Sequence, residues 1–199
     1  MGLLADFRAA AVTRRHFPDD ERLAPASLFS LVRDMPLSAE DAAPEGAIDE
    51  WSASPWTKHV LLHQLYRDFG LASALIYAAH EITPAAWPWL PPAMRSQLEL
   101  PLPDVQAFLR VQIGSEWMAV DATWPLTLRG LGVPVNERFD AGHNMRLACD
   151  PDELFHVPED ADAGRLYQAI LTGVTGDQME RRARFFRQLT SWFDEQTSG

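Results

Sequence analysis

The 199-residue sequence is short of cysteine, of positive charge and of long apolar runs. Cys149 is the single cysteine, which excludes an intramolecular disulfide and suits a reducing compartment. No apolar run is long enough to cross a bilayer, and Asp6 and Arg8 come too early for a secretory signal. We therefore expect a cytoplasmic protein.

The shortage of positive charge limits the partners that the chain can bind. It has 17 Lys and Arg against 28 Asp and Glu, a net charge of -11. Such a chain is repelled by phosphate backbones and anionic lipid, so we expect neither nucleic acid nor membrane as a partner. A basic peptide or protein is compatible with this charge. The sequence has no glycine-rich phosphate loop or nucleotide fingerprint, and we expect no cofactor.

The stretch formed by residues 51–80 predicts a helix followed by a buried strand. Ser54 is a favoured N-cap, and Pro55 suits the first helical position because its missing N–H costs nothing there. Gly70 is a typical helix stop, and residues 71–79 form a nearly continuous apolar run. The expected apolar face of the helix is formed by Leu61, Leu62, Leu65 and Phe69.

Hydrophobic spacing and turn residues assign the remaining elements. Helices are predicted at residues 2–16, 25–33, 164–172 and 177–196, and strands at residues 105–113, 117–122 and 144–149. The acidic segments 38–50 and 150–162 are predicted to be surface loops, the first with room for one helical turn and the second with Leu154 and Phe155 tucked in. Segment 81–103 is rich in proline and fits either a lid over a site or an insertion held by Trp87 and Trp89.

The last predicted helix has one apolar face. Phe185 and Trp192 widen this face, which we expect to pack against the sheet, with a groove in a partner as the alternative. Its main residues are Met179, Phe186, Leu189 and Phe193.

Five segments, in this order, resemble the transglutaminase-like superfamily of papain-like thiol enzymes. They are residues 31–36 (LVRDMP), 57–62 (TKHVLL), 69–71 (FGL), 104–109 (DVQAFL) and 120–124 (VDATW). In that family a cysteine begins the core helix, a histidine lies at the start of one hairpin strand, and an aspartate ends the neighbouring strand. The resemblance covers about residues 28–125 and implies a central helix packed on an antiparallel sheet.

The positions that carry catalysis in this family are altered here. The cysteine position corresponds to Pro55 and the histidine position to Gln106, and only the aspartate is kept, as Asp121. Proline has neither a nucleophilic atom nor an N–H for an oxyanion, and glutamine cannot take up a proton near neutral pH. The resemblance therefore implies a scaffold that has lost most of the roughly million-fold acceleration such a constellation supplies.

Two other residues are candidate nucleophiles. Ser54 lies next to the altered cysteine position, although its hydroxyl is also explained as the cap of the helix. Cys149 lies well beyond the hairpin, where a small half-buried side chain is the common role of a lone cysteine. An amide hydrolase or acyltransferase that uses either residue is the alternative function.

A metal site is a third hypothesis. His59 and His63 are four residues apart on the central helix, a spacing that can hold zinc. The glutamate of an H-E-x-x-H motif is absent. The candidate third ligands are Asp121, His80, His143 and His156.

The sequence thus predicts an α+β fold in one domain, residues 1–199, with a transglutaminase-like core at about 28–125 and a helical extension at about 160–197. The function expected first is that of a pseudoenzyme, which binds a peptide, an amide-bearing small molecule or a partner protein without thiol catalysis. The predicted cleft is lined by Ser54, Trp56, Gln106 and Asp121, with Trp87 or Trp89 from the predicted lid.

Overall fold

A computed structural model describes residues 2–197 of the chain. The helices are α1 (Leu3–Thr13), α2 (Pro25–Arg33), α3 (Pro44–Glu50), α4 (Pro55–Phe69), α5 (Pro92–Arg95), α6 (Ala163–Thr175) and α7 (Met179–Thr197). The strands are β1 (Ser73–Ile82), β2 (Leu102–Ile113), β3 (Glu116–Val120) and β4 (Glu153–His156). Mixed helix and sheet in this order confirm the predicted α+β class.

The strands form one antiparallel sheet in the order β3-β2-β1-β4. A tight turn at Gly114, whose φ is 63°, joins β2 to β3 and gives the predicted hairpin. The opposite neighbour of β2 is β1, and Tyr77 lies opposite Ala107 in that pair. The sheet ends at β4, where Phe155 lies opposite Tyr77 on its other side.

Helix α4 begins and ends where its local sequence predicts. The Ser54 side chain accepts a hydrogen bond from the Thr57 N–H, Pro55 occupies the first turn, and Gly70 takes the left-handed cap with φ 92°. Leu61, Leu62 and Leu65 are fully buried. Phe69, which was expected on the same face, is instead 38% exposed, and the neighbouring Arg67 and Asp68 at the end of the helix are exposed as well.

The two faces of the sheet are covered differently. The face towards α4 carries the main core, in which Leu75, Tyr77 and Leu109 are at most 2% exposed. The opposite face holds a small cluster around Ile76 and Phe108. Helix α4 packs on the main-core face, and its first turn lies near the end of β2 that carries Gln106.

A second core closes the end of the sheet near Ile82 and Leu102. Segment 81–103 contains α5 and is anchored there by Trp87, which is 5% exposed and stacks on Trp89. The geometry is that of an insertion held by its tryptophans.

Helix α7 covers the same core. Its buried face is formed by Phe185, Leu189 and Phe193, which recur every four residues. Phe185, which was expected only to widen the face, is buried, whereas Phe186 is partly buried and packs at the margin of the core.

Two predicted segments differ in the structure. Residues 38–50 were expected to be a surface loop with one helical turn at most, and the structure forms the seven-residue α3 there because Pro44 begins a helix that buries Ala47 and Ile48. Residues 144–149 are not a strand, and the fourth strand lies within the predicted loop 150–162. Segment 144–149 contacts β3 only locally, through hydrogen bonds between Ala119 and residues 144 and 145.

No helix within residues 2–197 combines the length and the apolar character needed to cross a membrane.

Lys58, the single lysine of the sequence, is fully buried in the first turns of α4. Its ammonium donates to the Arg33 carbonyl at 2.7 Å, at the C-terminal end of α2, and lies 3.5 Å from the Thr123 carbonyl. A cation is favourable at a helix C-terminus. Burial nevertheless lowers the pKa of Lys58 to about 7, despite the opposing effect of Asp34.

We predict that the free energy of unfolding increases as the pH rises from 7 to 10. Lys58 alone contributes up to ~1.4 kcal/mol per pH unit to this increase. In this window the unfolded chain holds a proton on Lys58 that the folded chain has released. Urea unfolding of the wild type and of Lys58→Met should show this slope only in the wild type. Because there is one lysine, its side-chain NMR signal reports the pKa directly, and a titration near 10.5 would contradict the prediction.

Candidate functional site

The first turn of α4 is fixed by a polar network around Ser54. The Ser54 hydroxyl donates to Asp41 Oδ1 at 2.5 Å and accepts the Thr57 N–H at 3.1 Å. The Thr57 hydroxyl contacts both backbone groups of Ala42. Ser54 is 4% exposed, so the hydroxyl chiefly acts as a helix cap that also holds the loop before α3.

Gln106 comes from β2 and faces this turn. Its amide nitrogen donates to Thr123 Oγ1 at 2.6 Å and to the Ala107 carbonyl at 3.3 Å. Pro55 and Gln106, to which the resemblance assigns the cysteine and histidine positions, line one cavity of about 40 Å³ together with Ser54 and Trp56. The structure thus brings together three of the four residues predicted for the cleft.

Asp121 is the fourth predicted residue, and it lies outside the lining of this cavity. Its two carboxylate oxygens accept backbone N–H groups, from Thr123 at 2.9 Å and from Ala148 at 2.7 Å. Gln106 is bonded to Thr123 rather than to Asp121. The carboxylate therefore organises the chain that leaves β3.

The cavity also contains charged residues that sequence reasoning missed. Asp104, which is 2% exposed, accepts a 2.5 Å hydrogen bond from Arg182 Nε of α7. Burial would raise the pKa of Asp104, but Arg182 and His80 outweigh it and lower the pKa to about 2. Burial raises the pKa of Asp41, and the hydrogen bond from Ser54 offsets part of that rise.

Aromatic rings complete the wall. Tyr167 of α6 stacks on Trp56 with ring centroids 5.2 Å apart, and Arg182 Nη2 donates to its hydroxyl at 3.2 Å. Phe186 lies under the Arg182 guanidinium at 4.7 Å. Helices α6 and α7 therefore close the cavity. Asp104 was visible in the DVQAFL segment, whereas no local pattern marks Tyr167 or Arg182.

The predicted lid residues do not reach the cavity. Trp87 and Trp89 contact Trp124 and residues of α7 in the second core, with ring centroids 5.5 and 5.6 Å from that of Trp124. The cleft is covered by the C-terminal helices and not by segment 81–103.

The histidine pair on α4 is divided between two environments. His59 Nδ1 donates to the Pro55 carbonyl at 2.7 Å, and its Nε2 accepts the Ala122 N–H at 2.9 Å, so both ring nitrogens are occupied. Burial lowers the pKa of His59, although Asp121 opposes this. His63 is instead bonded to Ser73 at 3.0 Å. Across residues 2–197, no group of three or more His, Cys, Asp or Glu side chains is placed to hold a metal ion.

Cys149 lies half-buried against the sheet face opposite α4. Burial raises the pKa of its thiol, and the carboxylates of Asp121 and Asp104 raise it further. Since the thiolate is the nucleophilic form, this environment argues against a catalytic cysteine.

A larger open groove of about 670 Å³ lies beside the second half of α4. His63 and Ser73 line it and bond to one another. Burial, with Arg67 adding to it, lowers the pKa of His63 to about 4, so the ring is a weak base at neutral pH. The cavity at Pro55 and Gln106 is smaller but is lined by Asp41, Arg182 and the buried Asp104, and we take it as the candidate site.

Comparison of the chain with protein-family models, with curated proteins and with solved structures finds no match.

We predict that Arg182→Met destabilises the fold by about 3 kcal/mol at pH 7, because the buried Asp104 carboxylate loses its guanidinium partner and keeps the 3.5 Å contact with His80. The penalty should shrink near pH 3, where Asp104 becomes protonated in the variant. Arg187→Met on the exposed face of the same helix is the matched control. Equal denaturation midpoints for the two variants would show that the ion pair does not hold α7.

Proposed function

We propose that this protein is a transglutaminase-like pseudoenzyme, a binding module that keeps the arrangement of a thiol enzyme without its chemistry. The observation that carries the proposal is the meeting of Pro55 and Gln106 in one buried polar cavity. In the family that the sequence resembles, the nucleophile and its base occupy these two positions. A proline and a glutamine there supply neither.

The cavity size restricts what can enter. A volume of about 40 Å³ holds one or two heavy atoms, comparable to a water molecule's share of the liquid. Only the polar end of a ligand fits, and its remainder would lie against the mouth formed by Ser38, Ala39 and Trp56. A terminal amine has this size, and the NH2 end of a side-chain amide can enter in the same way.

The polar groups select for a hydrogen-bond donor. Within residues 2–197, both hydrogen bonds of the Gln106 side chain use its nitrogen as donor. Its Oε1 is therefore left to accept a hydrogen bond from a ligand. The carboxylates of Asp41 and Asp104 face one guanidinium, that of Arg182. An N–H-bearing ligand therefore suits the cavity better than an anion does.

We predict that methylammonium and acetamide bind and shift the NMR signals of the Gln106 side-chain amide, whereas acetate does not. A small probe gains at most about 1.5 kcal/mol per heavy atom, so millimolar dissociation constants are expected. The amide of Gln112, on the same strand outside the cavity, is the internal control. Asp41→Asn should weaken methylammonium more than acetamide, and equal shifts with acetate would reject the proposed donor selectivity.

A second prediction tests the retained arrangement. In a Cys149→Ser background, Pro55→Cys combined with Gln106→His should give a thiol whose pKa falls below its usual value of about 8.5, because a helix N-terminus and an imidazole both favour the thiolate. Alkylation by iodoacetamide at pH 6 should be about tenfold faster than for Pro55→Cys alone. Equal rates would show that residues 55 and 106 lack the geometry of a catalytic pair.

The alternative is a serine enzyme that uses Ser54, and one observation favours it. Asp41 accepts a hydrogen bond from the Ser54 hydroxyl at 2.5 Å and could serve as its base. Against it, Ser54 is 4% exposed and also accepts the capping hydrogen bond from Thr57. Stoichiometric labelling of Ser54 by a fluorophosphonate, lost on unfolding, would replace the pseudoenzyme proposal with this one.

A further inference from the structure

The face of the sheet opposite α4 is apolar, with a buried centre at Ile76 and Phe108 and exposed side chains at Trp117 and Leu154. Ile76, Phe108, Trp117 and Leu154 line a shallow groove of about 420 Å³ on it, here called the outer face. Trp117 is 44% exposed and Leu154 is 57% exposed. Leu147 and Cys149 pack only beside Ile76 and Phe108.

This composition differs from that of a solvated sheet face. Antiparallel sheets with one face in water place polar side chains on that face. A contiguous exposed apolar patch on a folded chain commonly marks an interaction site. Arg110 also lines this groove, but its guanidinium is engaged in a 3.2 Å hydrogen bond to the Trp117 carbonyl. The groove therefore stays mainly apolar.

Strand β4 gives this patch a free edge. It is the terminal strand of the sheet and, within residues 2–197, it pairs with β1 alone. Phe155 lies opposite Tyr77, and the Val157 N–H donates to the Leu75 carbonyl. Because hydrogen-bonding directions alternate along a strand, the backbone groups of residues 154 and 156 point away from β1. They can pair with an added strand.

The charge around β4 indicates the kind of partner. Residues 150–162 contain six acidic residues and no lysine or arginine. They are Asp150, Asp152, Glu153, Glu159, Asp160 and Asp162. A second copy of the chain would place the same acidic rim against itself, which is repulsive, whereas a cationic segment would be complementary.

We propose that the outer face and the free edge of β4 bind an extended cationic segment of a partner protein, which joins the sheet beside β4. Its apolar side chains would lie on the exposed Leu154, and its lysines or arginines would face the acidic rim. This surface is separate from the cavity at Pro55 and Gln106 and does not depend on the function proposed for that cavity.

The test uses the full chain and two short capped peptides, one of alternating Lys and Val and one of alternating Glu and Val. Isothermal calorimetry should show binding of the Lys peptide alone, weakening steeply when NaCl rises from about 0.05 to 0.5 M. Hydrogen exchange should show new protection at the amides of Leu154 and His156.

Two variants separate the side-chain and backbone contributions. Leu154→Ser removes an apolar anchor. His156→Pro removes an N–H that points away from β1, and edge strands tolerate proline at such positions. Each should weaken the Lys peptide by about tenfold or more. Leu100→Ser, at a residue that is 73% exposed and outside the groove, should leave binding unchanged.

Three outcomes would overturn the proposal. The first is absence of binding by the Lys peptide, or equal binding by the Glu peptide. The second is a Lys-peptide affinity that Leu154→Ser and His156→Pro leave unchanged. The third is self-association in sedimentation velocity that Leu154→Ser abolishes, which would assign the surface to a second copy.

Discussion

The first turn of α4 is bonded to three separate parts of the chain, and the candidate site exists because of those bonds. Ser54 holds the loop before α3 through Asp41, Lys58 holds the end of α2, and His59 holds the segment that follows β3. All three side chains are at most 4% exposed. A helix start held in this way cannot shift without leaving buried polar groups unpaired, which is costly. It therefore presents Pro55 to β2 in one fixed position.

The same rigidity explains why the cavity is small. Helices α6 and α7 bring Tyr167 and Arg182 over the helix start, and the buried ion pair between Arg182 and Asp104 fixes them there. Thiol chemistry on a large substrate needs an accessible nucleophile, whereas recognition of one polar group needs only a matched pocket. The closure by the C-terminal helices is thus consistent with the proposed pseudoenzyme.

The sheet separates two surfaces with different properties. One face is buried under α4 in the main core, while the other has exposed apolar side chains at Trp117 and Leu154 next to an acidic rim. The acidic rim would attract a cationic partner over a long range, and the exposed apolar side chains would bind it at short range through burial. A partner on the outer face would contact β4 and β1, whose other side supports the core around Tyr77.

The sequence by itself determined the elements whose signals are local. Ser54, Pro55 and Gly70 define α4 through caps that act within one turn, and the glycine between β2 and β3 defines the hairpin. The pairing of Pro55 with Gln106 was also accessible, because both residues lie at fixed offsets from the segments that resemble a known family. The transglutaminase-like assignment itself stays a prediction.

Tertiary structure alone decided the rest of the site. Arg182 lies 78 residues from Asp104 in sequence, and no local rule places a surface-type arginine on a buried carboxylate at that distance. Strand β4 has four residues, too few for a period of two to be distinguished from an acidic loop. Its pairing with β1 stabilises it as a strand, and that pairing, like the ion pair, exists only once the chain has folded.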